Sequence, residues 1–402
     1  MKHRIVVLGA GYAGAYAAGV LGRRLSPEDT EITVVNAEPD FVQRLRLHQF
    51  AAGQEIEAPK LTDVLAGTGV RLRVARVTAV DPERRVVEVA DGEGGGEIAY
   101  DTLLYALGSR VADGGVPGVG EHAHDVAGRA SALRLRERLD VLERRGEGGR
   151  VLVVGDGLTG IETATEIAES RPGLSVTLVA RGELGARLSA GARDHLRRAC
   201  ERLGVEVVEH AEVVAVEAAR VVCADGTVLA SDATVWTAGF AVHPIAAASG
   251  LEVTEEGRIV VDRQMRSVSH PEVYAAGDAL HVIGDNGRPL PMSCASAGYT
   301  ARQAVGAIVG GLTGREVPRV KLEYVANHIS LGRRDAIFQF IDGEGNAKPK
   351  CLRGRRAARL KAVVLKGSLW GTSHPTFGMP QRRLRVTVAS AAFAERAERA
   401  AV

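Results

Sequence analysis

Cysteine is scarce in this 402-residue chain: there are four, Cys200, Cys223, Cys294 and Cys351, each far from the next. The spacing contains no CxxC pair and no metal-ligand cluster, so it predicts neither a disulfide framework nor a metal site and suits a reducing compartment. Lysine is scarcer than arginine, seven against 44, and the two signs of charge almost cancel to a formal +2. That balance argues against nucleic acid as a partner, which calls for a clustered basic face. Long apolar runs are missing too. No stretch approaches the roughly 18 residues of a membrane span, and the first run, Ile5-Val6-Val7-Leu8, stops at Gly9, too early for a secretory signal. A cytoplasmic location is expected. Apolar residues nonetheless make up 46% of the chain, enough to fill large cores, and this length predicts two or three domains.

The order of apolar runs and glycines predicts an α/β protein. Ile5 to Leu8 reads as a strand covered on both faces, followed by Gly9-Ala10-Gly11-Tyr12-Ala13-Gly14, a small-residue helix from about Ala13 to Leu25, and a strand from Glu31 to Asn36. In such a turn the first glycine permits the tight bend, the second lets a pyrophosphate approach, and the third lets helix and strand pack closely. The helix N-terminus then stabilises the phosphate charge. Asn36 stands where an acid often holds ribose hydroxyls. Residues 70–80, 84–90 and 97–100 read as a meander, and Thr102 to Leu107 as another buried strand. The pattern then restarts: Val151 to Val154, the turn Gly155-Asp156-Gly157-Leu158-Thr159-Gly160, a helix from Leu158 to Ser170, and a strand from Ser175 to Ala180. Two such turns imply two dinucleotides. The tail beyond residue 311 differs, and its run from Leu352 to Val364 predicts a basic amphipathic helix, either a solvated face or a peripheral membrane contact.

Two further segments, Thr102-Leu103-Leu104-Tyr105-Ala106-Leu107-Gly108-Ser109 and Tyr274-Ala275-Ala276-Gly277-Asp278, carry a resemblance. Together with the glycine turns they make residues 1–310 similar to the two-dinucleotide flavoproteins related to glutathione reductase. The resemblance implies two Rossmann-like domains, the NAD(P) domain (116–242) inserted in an FAD domain (1–115 and 243–310), with a small C-terminal α+β domain (311–402). It implies that Asp278 meets the ribityl chain of FAD, beside Gly277, that Gly108 and Gly239 lie in connectors, and that Glu162 stands near the nicotinamide, orienting its carboxamide or holding a proton. Leu107 replaces the usual Thr of the first connector. Ala180-Arg181, with Arg187 six residues on, resembles the arginine pair of NADPH-using relatives and favours NADPH over NADH. The alternative is a pair of solvated loop charges, with Glu183 between them.

The stretch Phe41 to Gly53 has no cysteine, so the redox pair of disulfide reductases is missing. Arg46-Leu47-His48-Gln49-Phe50-Ala51-Ala52-Gly53 instead resembles a segment of type II NADH:quinone oxidoreductases, with Gln49 and Gly53 matching and His48 where an aromatic is common. That likeness implies an acceptor side lined by Arg44, His48, Gln49 and Tyr299, with His48 a proton donor. The two glutamines of that family's quinone segment are absent from Cys294-Ala295-Ser296-Ala297-Gly298-Tyr299. The expected protein is an FAD-dependent NAD(P)H oxidoreductase, homodimeric, reducing a quinone-like small molecule. A ferredoxin or similar carrier as acceptor, and a redox-sensing flavoprotein with slow turnover, are the alternatives.

Overall fold

The computed structural model describes residues 1–92, 94–146, 148–378 and 382–387. Its first sheet is five-stranded and parallel, in the order Val273–Ala275, Thr102–Tyr105, His3–Leu8, Thr30–Asn36 and Arg71–Val74. Thr102–Tyr105 and Val273–Ala275 are buried at every position, as parallel strands covered on both faces must be. Four helices frame the site: α1 (Tyr12–Arg24), α2 (Leu158–Ser170), α3 (Cys294–Thr313) and α4 (Arg355–Ser373). Ala15, Ala17 and Ala18 of α1 are fully buried, and their small side chains let α1 pack closely against α3.

The chain leaves this sheet after Tyr105 and returns to it at Val273. Between lies a second parallel sheet, in the order Glu206–Val208, Ser175–Val179, Arg150–Val154, Ala233–Trp236 and Ala123–His124. The outgoing and returning connections, Ser109–Val111 and Phe240–Val242, pair antiparallel, so the two units are hinged by a hydrogen-bonded double crossing. The meander expected over 70–80 divides at Ala75. Arg71–Val74 extends the first sheet, while Arg76–Asp81 turns into an antiparallel trio with Val86–Ala90 and Gly96–Ala99. Buried Ala75 marks the corner.

Three antiparallel strands, Ala326–Ser330, Ala336–Ile341 and Ala347–Arg353, precede α4. The expected helix over Leu352 to Val364 therefore starts late: Leu352 and Arg353 end a strand, and Gly354 at φ +73° makes the break. One apolar cluster joins Leu47, Phe50 and Ala51 of a short helix, Ile161, Ala164 and Ile167 of α2, and Ile329 and Ile337 of the last sheet. This shared core brings three distant segments to one point. No helix among the described residues is long and apolar enough to cross a membrane.

Candidate active site

Both glycine turns obey the same geometry. Gly9 has φ +89°, and a Cβ there would lie 2.4 Å from the Ala106 carbonyl oxygen. A Cβ on Gly14 would lie 1.9 Å from the Gly9 carbonyl oxygen. In the second turn Gly155 has φ +110°, and a Cβ on Gly160 would lie 1.7 Å from the Gly155 carbonyl oxygen. The middle glycines differ. A Cβ on Gly11 or Gly157 meets no atom within 4 Å, both line one cavity of about 940 Å³, and each begins a helix that no side chain caps. Open space before a row of unpaired N–H groups fits a pyrophosphate. The fit is thus good for FAD at the first turn and a nicotinamide dinucleotide at the second.

Around the first turn the polar groups are fixed in advance. Asn36 accepts from the Ala10 N–H at 2.9 Å and donates to the Glu38 carbonyl at 2.8 Å. Arg44 donates to the Ser109 carbonyl (2.7 Å) and hydroxyl (3.0 Å), and that hydroxyl donates to Asp278 at 2.7 Å. Arg44 is thereby part of the frame behind Asp278, and burial lowers its pKa. Gly277, at φ +82°, donates its N–H to Thr300 at 3.0 Å. Tyr12, Ala13, Asn36, Arg44, Gly108, Gly277 and Asp278 line the cavity, as do Thr159 and Gly239 beside the second turn.

At the far end three titratable groups meet. Glu162 accepts from the Ser330 N–H at 2.9 Å and from the Lys361 ammonium, which also approaches the His328 carbonyl at 3.3 Å. The two side chains of this ion pair are 12% and 6% exposed. Burial pushes the Lys361 ammonium down to about 7, within reach of proton release at neutral pH. Burial, with Lys361 and Arg46 nearby, pushes His48 down to about 3. The imidazole is therefore neutral in the working range and has no ionised proton to give; its Nε2 is buried without a partner. Cys294 faces the same cavity as a thiol, pushed up to about 11 by burial and by Asp278.

Several expected residues lie elsewhere. Gln49 points off the cavity and accepts from Arg46 at 2.8 Å. Tyr299 packs against the core of the first unit. Ala180 is buried behind the second sheet's edge, and Arg181 and Arg187 are exposed outside the cavity wall. Lys361 was missed by the sequence reading. Its signal was position: Ala357, Lys361 and Thr372 form the buried stripe of α4, with Val364, Leu365 and Ser368 turned to the cavity, and a lysine on an inward stripe requires a partner.

The model of the pyridine nucleotide-disulphide oxidoreductase family matches residues 3–301. The chain belongs to that family. An NADH dehydrogenase-like protein of Mycobacterium tuberculosis is 30% identical over 357 residues, covering 83% of this chain and 87% of that one. The demethylphylloquinone reductase of Synechocystis is 26% identical, covering 89% and 92%. The structure of NDH2 from Plasmodium falciparum in complex with NADH superposes with a TM-score of 0.77 at 15% identity, covering 95% of this chain and all of that one, which shows the shared fold. This family member is an oxidoreductase built for FAD and a nicotinamide dinucleotide.

Proposed function

We propose that this oxidoreductase takes a hydride from NAD(P)H and passes two electrons to a small quinone-like acceptor. When bound, FAD supplies the redox chemistry, accepting hydride from nicotinamide and releasing electrons to the acceptor. The observation that carries the reading is the lining of the large cavity that both glycine turns share. It joins both glycine turns to the Glu162–Lys361 pair and is also lined by Met292, Cys294, Tyr324, Val364 and Leu365. Cys294 is its one cysteine, so no dithiol is present for disulfide exchange, whatever the family's name. Gly11 and Gly157 leave room for the two pyrophosphates, Asp278 holds the ribityl chain, and Glu162 fixes Lys361 as the proton source for the acceptor oxygen. His48 serves as a neutral part of the cavity wall, and Gln49 as a brace for Arg46. Support for this reading also comes from the quinone reductases among the relatives.

Stopped-flow mixing tests it. Enzyme reduced by NAD(P)H is expected to reoxidise fastest with menadione, faster than with ferredoxin or oxygen. Ferredoxin as the best acceptor would replace the reading with the carrier reductase, and reoxidation no faster than free flavin with every acceptor would favour the sensor. Presenting the quinone in anionic vesicles adds a second readout. Val363, Trp370 and Phe377 are exposed on and beside α4 together with Arg355, Arg356, Arg359 and Lys366. That apolar and basic surface suits peripheral contact with a membrane face, which would speed turnover on vesicles. The division into 1–115 with 243–310, 116–242 and 311–402 belongs to the same proposal, supported by the separate sheets. So does a homodimer, which sedimentation would read directly.

NADPH is proposed over NADH. Glu183, the acid between the two arginines, is engaged by Arg193 at 2.9 Å and Arg197 at 3.5 Å, leaving the loop's surface to Arg181 and Arg187. A charge-assisted contact contributes about 1.5–3 kcal/mol. Arg181→Ala with Arg187→Ala is therefore expected to lower kcat/KM for NADPH by about tenfold or more and to spare NADH. A native preference for NADH of about tenfold would overturn the assignment.

A further inference from the structure

Two helical turns beyond Lys361 stands a polar side chain that the reading above leaves without a task. Lys361, Val364, Leu365 and Ser368 of α4 all line the cavity, and steps of three, four and seven residues put them on one stripe of the helix. The stripe is polar at both ends and apolar between. At one end the Lys361 ammonium is held by Glu162 and the His328 carbonyl. At the other the Ser368 hydroxyl donates to the Val364 carbonyl at 2.9 Å, and the Cys294 thiol lies within its hydrogen-bonding reach. The start of α3 thus meets α4 at Ser368. Val364 and Leu365, between the two ends, are half-buried. The Ser368 bond stays within its own helix turn. A hydroxyl exchanges such a bond for a ligand oxygen by rotating, because it carries one hydrogen and two lone pairs.

At about 1.5 Å per residue, the steps from Lys361 to Ser368 span about 10.5 Å along the helix axis. Side chains on a helix lean toward its N-terminus, a long one further than a short one. Lys361 therefore leans away from Ser368, and the gap does not shrink. A hydrogen bond of about 2.8 Å at each end leaves about 5 Å between the ligand's own oxygens. That is the separation across a para-quinone ring. Ortho oxygens, about 3 Å apart, fall short by about 2 Å with the same two bonds. We propose that Ser368 is the specificity-determining residue of the acceptor site: it binds the far oxygen of a quinone whose near oxygen meets Lys361, so the site selects para-quinones over ortho-quinones. The proposal rests on the quinone reading above. The overall change is NAD(P)H + H⁺ + Q → NAD(P)⁺ + QH₂. One hydrogen arrives with the hydride and the other as the proton from Lys361. Ser368 supplies a hydrogen bond and no proton. Val364 and Leu365 face the apolar ring between them.

The test uses para-naphthoquinone and ortho-naphthoquinone, isomers that differ only in where the oxygens stand, as acceptors for the holoenzyme with NAD(P)H. The unaltered enzyme is expected to show the lower KM for the para isomer. Ser368→Ala should raise that KM about three- to tenfold, the size of one lost hydrogen bond. Its kcat should stay within about twofold, as for a contact made equally in the ground and transition states. KM for the ortho isomer should not move, and comparing each isomer between variant and unaltered enzyme cancels their difference in potential. Ser368→Thr, which keeps the hydroxyl, should keep the preference. A readout independent of turnover is the Kd of para-naphthoquinone for the oxidised holoenzyme, followed by quenching of flavin emission, which should weaken in Ser368→Ala by the same factor as KM. A Ser368 that only braces its own helix turn predicts equal changes with both isomers. Such equal changes, an unaltered KM for the para isomer in Ser368→Ala, or an unaltered enzyme that takes both isomers at the same KM each overturn the assignment. If neither isomer reoxidises the reduced unaltered enzyme, the quinone reading itself falls, whatever the Ser368 variants do.

Discussion

Gly11→Val is expected to purify as a folded, colourless protein without the visible absorption of oxidised flavin. The backbone permits the change: Gly11 has φ −74° and ψ −166°, an extended conformation open to any residue. The packing permits it too, since a Cβ there meets no protein atom within 4 Å. What the isopropyl group occupies is the space in front of the α1 N-terminus, where the pyrophosphate must approach the backbone. Gly157 has the same geometry, φ −68° and ψ 175°, and the same open space. Gly157→Val should therefore stay yellow, bleach with dithionite and fail to bleach with NAD(P)H. The pair assigns one cradle to each dinucleotide. Gly14→Ala is the contrast, because its Cβ would meet the Gly9 carbonyl oxygen at 1.9 Å and the turn itself must break. The measurements are the flavin-to-protein ratio after denaturation and the thermal melt of each variant. Full flavin content in Gly11→Val would mean that the cofactor does not cross this turn.

The glycine turns were legible because three constraints coincide in a few residues: a run of buried apolar positions, a positive φ, and two backbone segments too close for a Cβ. Each leaves a residue-type signature that survives without coordinates. The facing of helical residues leaves a weaker one. In the short helix Leu47–Ala51 the core takes Leu47, Phe50 and Ala51. At about 100° per residue this turns His48 to the cavity edge and Gln49 away, so adjacent residues that match one motif separate in space. Tyr299 is lost in the same way, because α3 spends that face on the core. Lys361 was hidden by its neighbours. Arg355, Arg356, Arg359 and Lys366 are all exposed, and in a run of basic residues nothing local distinguishes the one that turns inward. Its partner is 199 positions away in the chain, on a helix brought near only when the last sheet docks on the second unit.

Lys361→Met is expected to slow quinone-driven reoxidation about a hundredfold, the scale of a lost general acid, with a smaller effect on reduction by NAD(P)H. The side chain keeps its length and apolar stem, so the cavity wall stays filled. Only the proton and its charge are removed. Because burial holds the Lys361 ammonium near 7, the unaltered enzyme should lose quinone reoxidation as pH rises through about that value, and Lys361→Met should show no such limb. Stability follows the same shift with a definite sign. The folded pKa lies below the unfolded value of 10.5, so between the two the unfolded chain holds a proton that the folded chain has released, and stability rises with pH across that window. The Met variant lacks this slope. It also leaves Glu162 without its cation, and removing one partner of a buried pair costs about 3–5 kcal/mol when the other stays charged. Lys361→Met combined with Glu162→Gln separates the two effects: it should recover stability, since the amide still accepts from the Ser330 N–H, while quinone reoxidation stays slow. Recovery of both together would show that the lysine only holds the site in shape, and a Met variant that keeps the native rate and pH limb would remove Lys361 from proton transfer altogether.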